Sequence, residues 1–172
     1  MQVLRPITTA DFAALKQIAI ESGHGFTSLP VDDEQLKEKI DRAEKSFAKN
    51  INQPLDESYL FVLEDSETGE VIGTTAIEAA VGLSVPLYHY HLGKTVHHSP
   101  TLNVYNTVDI LSMCNDYTGC SEICTLFLRE KSRKGLTGRF LSRSRFLFMA
   151  QHSERFADTV IAEMRGVSDE EG

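Results

Sequence analysis

The stretch Ser121-Glu122-Ile123-Cys124-Thr125-Leu126-Phe127-Leu128-Arg129, followed by Glu130-Lys131-Ser132-Arg133-Lys134-Gly135-Leu136-Thr137-Gly138, decides the architecture. The first segment is rich in β-branched and large apolar residues and follows a turn at Asp116–Gly119. It reads as a strand with Ile123, Thr125 and Phe127 on one face and Cys124, Leu126 and Leu128 on the other. The second segment is a basic, glycine-punctuated loop. Beyond it a helix is expected over about Arg139–His152, burying Phe140, Leu141, Ser144, Leu147 and Phe148, and Thr159–Met164 reads as a final strand. A strand–loop–helix–strand unit points to an α/β fold.

The loop carries chemistry as well as topology. Gly135 and Gly138 let the backbone approach a ligand closely. Free N–H groups at the start of the following helix, together with its dipole, suit a phosphate. Seven basic residues crowd this region (Arg129, Lys131, Arg133, Lys134, Arg139, Arg143 and Arg145) against the single acid Glu130, inside a chain whose net charge is −8. A solvated helix face with a glycine turn would also explain the composition. The GxxxxGK[ST] spacing of a nucleotide P-loop is absent, and so is the GxGxxG of a dinucleotide site.

Working outward, residues 2–5 read as a short strand ended by Pro6, which cannot donate to a ladder. Thr8 caps a helix that carries Phe12, Leu15, Ile18 and Ala19 on one face and ends at Gly23-His24-Gly25. A second helix over about Asp33–Asn50 buries Leu36, Ile40, Ala43 and Phe47. Tyr59–Glu64 and Val71 to about Val81 form a hairpin around Thr68-Gly69. The return strand is so rich in small residues (Gly73, Thr74, Thr75, Ala76) that it should lie close against neighbouring backbone. Residues 82–118 give the weakest pattern, with short strands expected near Leu102–Tyr105 and Val108–Met113.

The whole chain of 172 residues reads as a single domain. Its 41% hydrophobic and 24% charged content is that of a globular protein. The acidic balance argues against nucleic acid or an anionic membrane as a partner. Without a membrane-length apolar run or a signal-peptide core, the expected compartment is the cytoplasm, where Cys114, Cys120 and Cys124 would be free thiols.

An R-x-x-G-x-G-like loop after a strand resembles the pyrophosphate-binding pattern of the GNAT superfamily of acyltransferases. The resemblance sharpens over Leu126-Phe127-Leu128, Arg133-Lys134, Gly138 and Leu141-Ser142-Arg143-Ser144-Arg145-Phe146, which are similar to the arginine N-succinyltransferase family. Further matching strings are Arg5-Pro6, Thr27-Ser28-Leu29-Pro30, Val62 to Gly69, Ala80 to Leu83, Leu102 to Asn106, Asn115-Asp116, Thr118-Gly119 and Ala162 to Val167. Together they span nearly the whole chain. The resemblance implies a GNAT-like mixed, mostly antiparallel twisted sheet flanked by helices and incomplete at the C-terminus. It also implies transfer of succinyl from succinyl-CoA to the α-amino group of L-arginine in arginine breakdown. The succinyl-CoA site it implies comprises Leu126, Leu128, Arg133, Lys134, Gly135, Gly138 and Arg139, with no metal. At one point the chain departs from the family pattern: Leu136 stands where the family places its first loop glycine.

Family members are roughly twice as long, and the histidine thought to protonate the leaving thiolate falls in the other half. The end at Ser168–Gly172 therefore reads as a fragment. The isolated chain is expected to be inactive or weakly active, and to pair with the other half or with a second copy. A different CoA-dependent N-acyltransferase, acting for instance on ornithine, and a non-catalytic CoA-binding module are the alternative readings.

The remaining candidates are individual residues. Attack by an α-ammonium needs a base, and Glu78, mid-strand among apolar residues, is the candidate; a structural ion pair or an exposed edge position is the competing reading. His24, Thr27 and Ser28 lie where an acyl acceptor could dock, and Arg165 could meet a substrate carboxylate or a local acid. His89, His91, His97 and His98 invite a metal reading, but no Cys-x-x-Cys accompanies them, and packing or a substrate loop suits them better.

Overall fold

A computed structural model describes residues 1–23 and 26–164. His24, Gly25, Arg165 and the Ser168–Gly172 end lie outside the described residues. Seven strands and three α-helices follow in the order β1 (Gln2–Pro6), α1 (Phe12–Ser22), α2 (Asp33–Ala48), β2 (Ser58–Asp65), β3 (Glu70–Glu78), β4 (His89–Ser99), β5 (Val104–Cys114), β6 (Ser121–Leu128), α3 (Thr137–Gln151) and β7 (Val160–Ile161). The main sheet runs β1-β2-β3-β6-β7. All its neighbours are antiparallel except β6 and β7, which are parallel and joined through α3.

The sheet separates its helices by the alternation of β2. Leu60 and Val62 face a cluster with Leu15 and Ile18 of α1 and Leu36 and Ile40 of α2. Tyr59, Phe61 and Leu63 face the other way, against Phe148, Met149 and Leu141 of α3. Local sequence supports each helix start. Asp11 accepts from the Thr8 backbone N–H at 2.8 Å, so a short 3-10 turn leads into α1, and Asp32 accepts from the Gln35 N–H at 2.8 Å to cap α2. Gly73 makes the close approach its strand composition foretold: a Cβ there would sit 2.8 Å from the carbonyl oxygen of Phe127.

Four expectations need correction. First, β6 does not alternate as written. The pairing runs Ala76 to Cys124 and then Thr74 to Phe127, which leaves Thr125 and Leu126 opposite Thr75 as a bulge. Thr125 adopts φ +53°, unusual for a β-branched residue. The extra residue turns the chain over, so Cys124 and Phe127 share the α1/α2 face while Ile123 and Leu128 share the α3 face.

Second, residues 82–118 hold a hairpin of two 11-residue strands, β4 and β5, which pair only with each other. Tyr90, Leu92, Leu111 and Met113 remain exposed. Third, α3 buries Leu141, Ser144, Arg145 and Met149, whereas Phe140 and Leu147 point to solvent. Fourth, the last strand shrinks to Val160–Ile161, because β7 pairs with β6 only at Ser121 and Glu122 before the two chains separate.

Candidate acyl-CoA groove and the cleft between β6 and β7

The seven residues singled out at the strand–loop–helix junction come together. Leu126, Leu128, Arg133, Lys134, Gly135, Gly138 and Arg139 line one groove of about 460 Å³, with Phe127 and Leu141 completing its wall. The bulge builds one end, since Thr125 and Leu126 stand outside the β3–β6 pairing and leave main-chain polar groups for a ligand. The start of α3 builds the other. The residue before it, Leu136, offers no side-chain cap, and no acid occupies the first turn. The first N–H groups of a helix have no intrahelical acceptor, and the dipole there favours an anion. Gly135 takes the left-handed turn at φ +57°. Leu136 has φ −100°, a value open to any residue, so the shifted glycine is accommodated without strain.

The basic run divides by role. Arg129 is tied to Glu21 at 2.5 Å and to Glu70 at 2.8 Å, and Lys131 is also bound to Glu70. Arg133 donates from Nε to the Leu128 carbonyl at 2.8 Å and lies over the Phe127 ring at 5.5 Å. Lys134, Arg139 and Arg143 have no carboxylate partner among the described residues, so the positive charge beside the groove is open to an incoming phosphate.

Where β6 and β7 part, a second cavity of about 610 Å³ opens. Its walls include Thr27, Ser28, Glu122, Thr125, Leu126 and Arg145. Leu126 belongs to both cavities, so groove and cleft adjoin at the bulge. Burial pushes the Glu122 carboxyl above the ordinary range, reinforced by the nearby charges of Glu163 and Glu78. Glu78 itself is paired with Arg42 at 2.9 Å and accepts from the Ser58 hydroxyl at 2.8 Å.

Residues 2–172 match the family described as arginine N-succinyltransferase beta subunit. This chain belongs to the arginine N-succinyltransferase family. It is 51% identical to the arginine N-succinyltransferases of Salmonella arizonae and Salmonella schwarzengrund, over 100% of its own length and 50% of theirs. It superposes with a TM-score of 0.92 and 42% identity on subunit AI of arginine/ornithine succinyltransferase from Pseudomonas aeruginosa, covering 52% of that chain. The chain thus spans about half the length of these relatives. An acetyltransferase from Trypanosoma brucei, 12% identical with a TM-score of 0.51 and covering 99% of this chain and 85% of its own, shares the fold. The GNAT-like architecture read from the sequence is therefore the observed one.

Two side chains escaped the sequence reading as site residues. Glu122 is the cross-strand neighbour of Glu78, yet it alone of the two lines the cleft. Arg145 enters the sequence reading through the basic run and the family-matching string alone, although it falls four residues after Leu141 and four before Met149, on the stripe that packs inward. A charged residue on an apolar helical stripe was the available signal.

The histidines do not gather as a group. His89 stacks on Tyr117 at 4.3 Å and comes near Cys114 and Asp116, with possible ligand atoms within 4.8 Å of one another, while His98 packs against Tyr105. Three potential ligands, the Asp116 one exposed, fall short of a closed four-ligand zinc site. The cysteines are free, and burial pushes the Cys124 thiol up to about 12, the opposite of what a nucleophile needs.

Proposed function

We propose that this chain supplies the acyl-CoA side of an arginine N-succinyltransferase, which moves succinyl from succinyl-CoA to the α-amino group of L-arginine. The observation that carries this reading is the continuity of a phosphate-suited groove with a cleft large enough for an acceptor. The pyrophosphate rests against the Arg133–Gly138 loop and the start of α3, with Lys134 and Arg139 supplying charge. The pantetheine arm runs along β6, where the unpaired main chain of Thr125 and Leu126 bonds its amides, and the thioester passes Leu126 into the cleft.

L-Arginine enters beside Thr27 and Ser28. Its α-ammonium must lose a proton before attack. Glu122 favours that role over Glu78, because it lines the cleft and its raised carboxyl pKa moves it toward the operating pH, whereas Glu78 is committed to Arg42 and Ser58. Glu122 takes the ammonium proton and passes it to solvent; the new C–N bond then forms as the C–S bond breaks, and the second proton, shed by the nitrogen as it becomes an amide, goes to Glu122. The thiolate then takes a proton from a donor in the other half of the family's length. By itself the chain binds CoA esters and turns over weakly or not at all, and pairing with the other half of the family's length completes it. No helix among the described residues is long and apolar enough to cross a membrane, in keeping with a cytoplasmic enzyme.

Ornithine is a second acceptor to consider, since the Pseudomonas relative is described as an arginine/ornithine succinyltransferase. Thiol release from succinyl-CoA, followed with L-arginine and L-ornithine, tests the reading on the chain alone and joined to a family C-terminal half. Amine-dependent thiol release by the joined protein supports it. Release that ignores both amines refutes it.

A further inference from the structure

Arg145 is 5% exposed, and no carboxylate is within ion-pairing distance of it among the described residues. Its Nε donates to the carbonyl of Ser142 and its Nη2 to the hydroxyl of the same residue, each at 3.1 Å. Both bonds turn back within α3, and Nη1 has no partner among the described residues. The other shielded arginines differ: Arg129 meets Glu21 and Glu70, and Arg155 meets Glu154. A guanidinium taken out of water without a counter-charge is costly, and burial lowers its tendency to stay protonated. Such a group is compensated if an anion arrives.

The cleft gives an anion a way in. Arg145 lines the cleft between β6 and β7 together with Leu126, the residue shared with the CoA groove. A planar guanidinium suits a carboxylate better than any other side chain does. An acetyl group delivered past Leu126 would leave Arg145 bare, whereas a succinyl group brings its own carboxylate two methylenes beyond the thioester carbon.

Resting on the acyl-CoA reading above, we propose that Arg145 is a specificity-determining subsite that receives a substrate carboxylate in the cleft. The carboxylate can come from the succinyl end of the donor or from the α-carboxylate of the amino-acid acceptor. The cleft's junction with the groove at Leu126 favours the donor.

The test compares affinities of CoA, acetyl-CoA and succinyl-CoA for this chain and its Arg145→Met and Arg145→Lys variants. L-Arginine is titrated against agmatine, its decarboxylated analogue, in the presence of CoA. A charge-assisted pair in a shielded site gives a preference on the order of ten- to a hundred-fold. In the donor arm, Arg145→Met brings the succinyl-to-acetyl ratio close to one while CoA affinity holds. In the acceptor arm, the arginine-to-agmatine ratio collapses instead. Arg145→Lys keeps the charge without the fork and retains part of whichever preference applies, which keeps the test readable should the Met variant fold poorly. Variants that bind CoA normally with both ratios unchanged overturn the subsite. Failure of the parent chain to bind any CoA species overturns the acyl-CoA reading itself.

Discussion

Replacing Gly73 by Ala tests the packing that holds the groove wall in place. An ideal Cβ at this position lies 2.8 Å from the Phe127 carbonyl oxygen, 3.1 Å from Leu128 Cδ1 and 3.2 Å from Leu141 Cδ2. The two methyl groups can rotate away, but the carbonyl belongs to the β3–β6 ladder and moves only with the strand. Overpacking of this kind costs about 1–3 kcal/mol. Restricting the unfolded chain returns about 0.4–1 kcal/mol, so the net loss should be roughly 1–2 kcal/mol. For a domain of this size that lowers the melting temperature by roughly 2–8 °C. Gly93→Ala is the matched control, since its nearest neighbours would be Ile110 Cγ1 at 3.6 Å and His91 Cδ2 at 3.9 Å, ordinary contact distances. Thermal unfolding by circular dichroism should place Gly73→Ala clearly below the parent chain and Gly93→Ala level with it or slightly above. A Gly73→Ala melting temperature equal to that of Gly93→Ala would show that β3 and β6 are not in the contact described.

Three further outcomes follow from the charged and buried groups. Arg5 is the main cause holding the Asp11 carboxyl below its ordinary value of 3.8, so the pair's stabilisation is complete above that pH and lost as pH falls through the lower folded value. Asp11→Asn should cost about 2 kcal/mol at neutral pH, with urea midpoints converging on the parent's in acid; a constant gap down to the acid limit would contradict the pairing. Burial raises the Glu122 carboxyl, so its charged form opposes folding above the unfolded value of 4.5. Glu122→Gln should accordingly stabilise the chain at pH 7, with the gain fading on acidification, and a destabilised variant at pH 7 would argue against that assignment. Cys124, with its thiol pushed up to about 12, should alkylate with iodoacetamide at pH 8 far more slowly in the folded chain than in urea; equal rates by mass spectrometry would place it in solvent.

What could be read from the sequence depended on whether a signal was local. β2 and its turn into β3 were legible because a continuous apolar run from Tyr59 to Leu63 and Gly69, at φ +70°, sit within a few residues of each other. The loop from Arg133 to Gly138 was legible for the same reason, since a strand, a basic loop and a helix start lie consecutively from Ser121 onward, whereas Leu126 and Leu128 were named through the family resemblance. The bulge at Thr125 was not legible: it exists because Thr75, some fifty residues earlier, pairs with neither Thr125 nor Leu126. Alternation assumed an unbroken ladder and so misassigned Phe127 and Leu128.

The β4–β5 hairpin was missed for another reason. Its strands expose both faces, so Tyr90, Leu92, Leu111 and Met113 fall into no inside–outside period. On α3 the expected stripe held at Leu141, Ser144 and Phe148 and failed at its edge, where Arg145 and Met149 are buried in place of Phe140 and Leu147. The residues missed, Glu122 and Arg145, face the cleft that forms only when β6 and β7 separate.

Whether the strand–loop–helix junction holds an acyl-CoA is decided by calorimetric titration of succinyl-CoA into this chain and a Lys134→Ala/Arg139→Ala double variant. The parent chain should bind saturably, one to one, with affinity that weakens as salt rises, and the double variant should bind clearly more weakly at low salt, with both proteins melting alike. Equal affinity in the two proteins, or a folded parent chain that binds no succinyl-CoA, would contradict that reading.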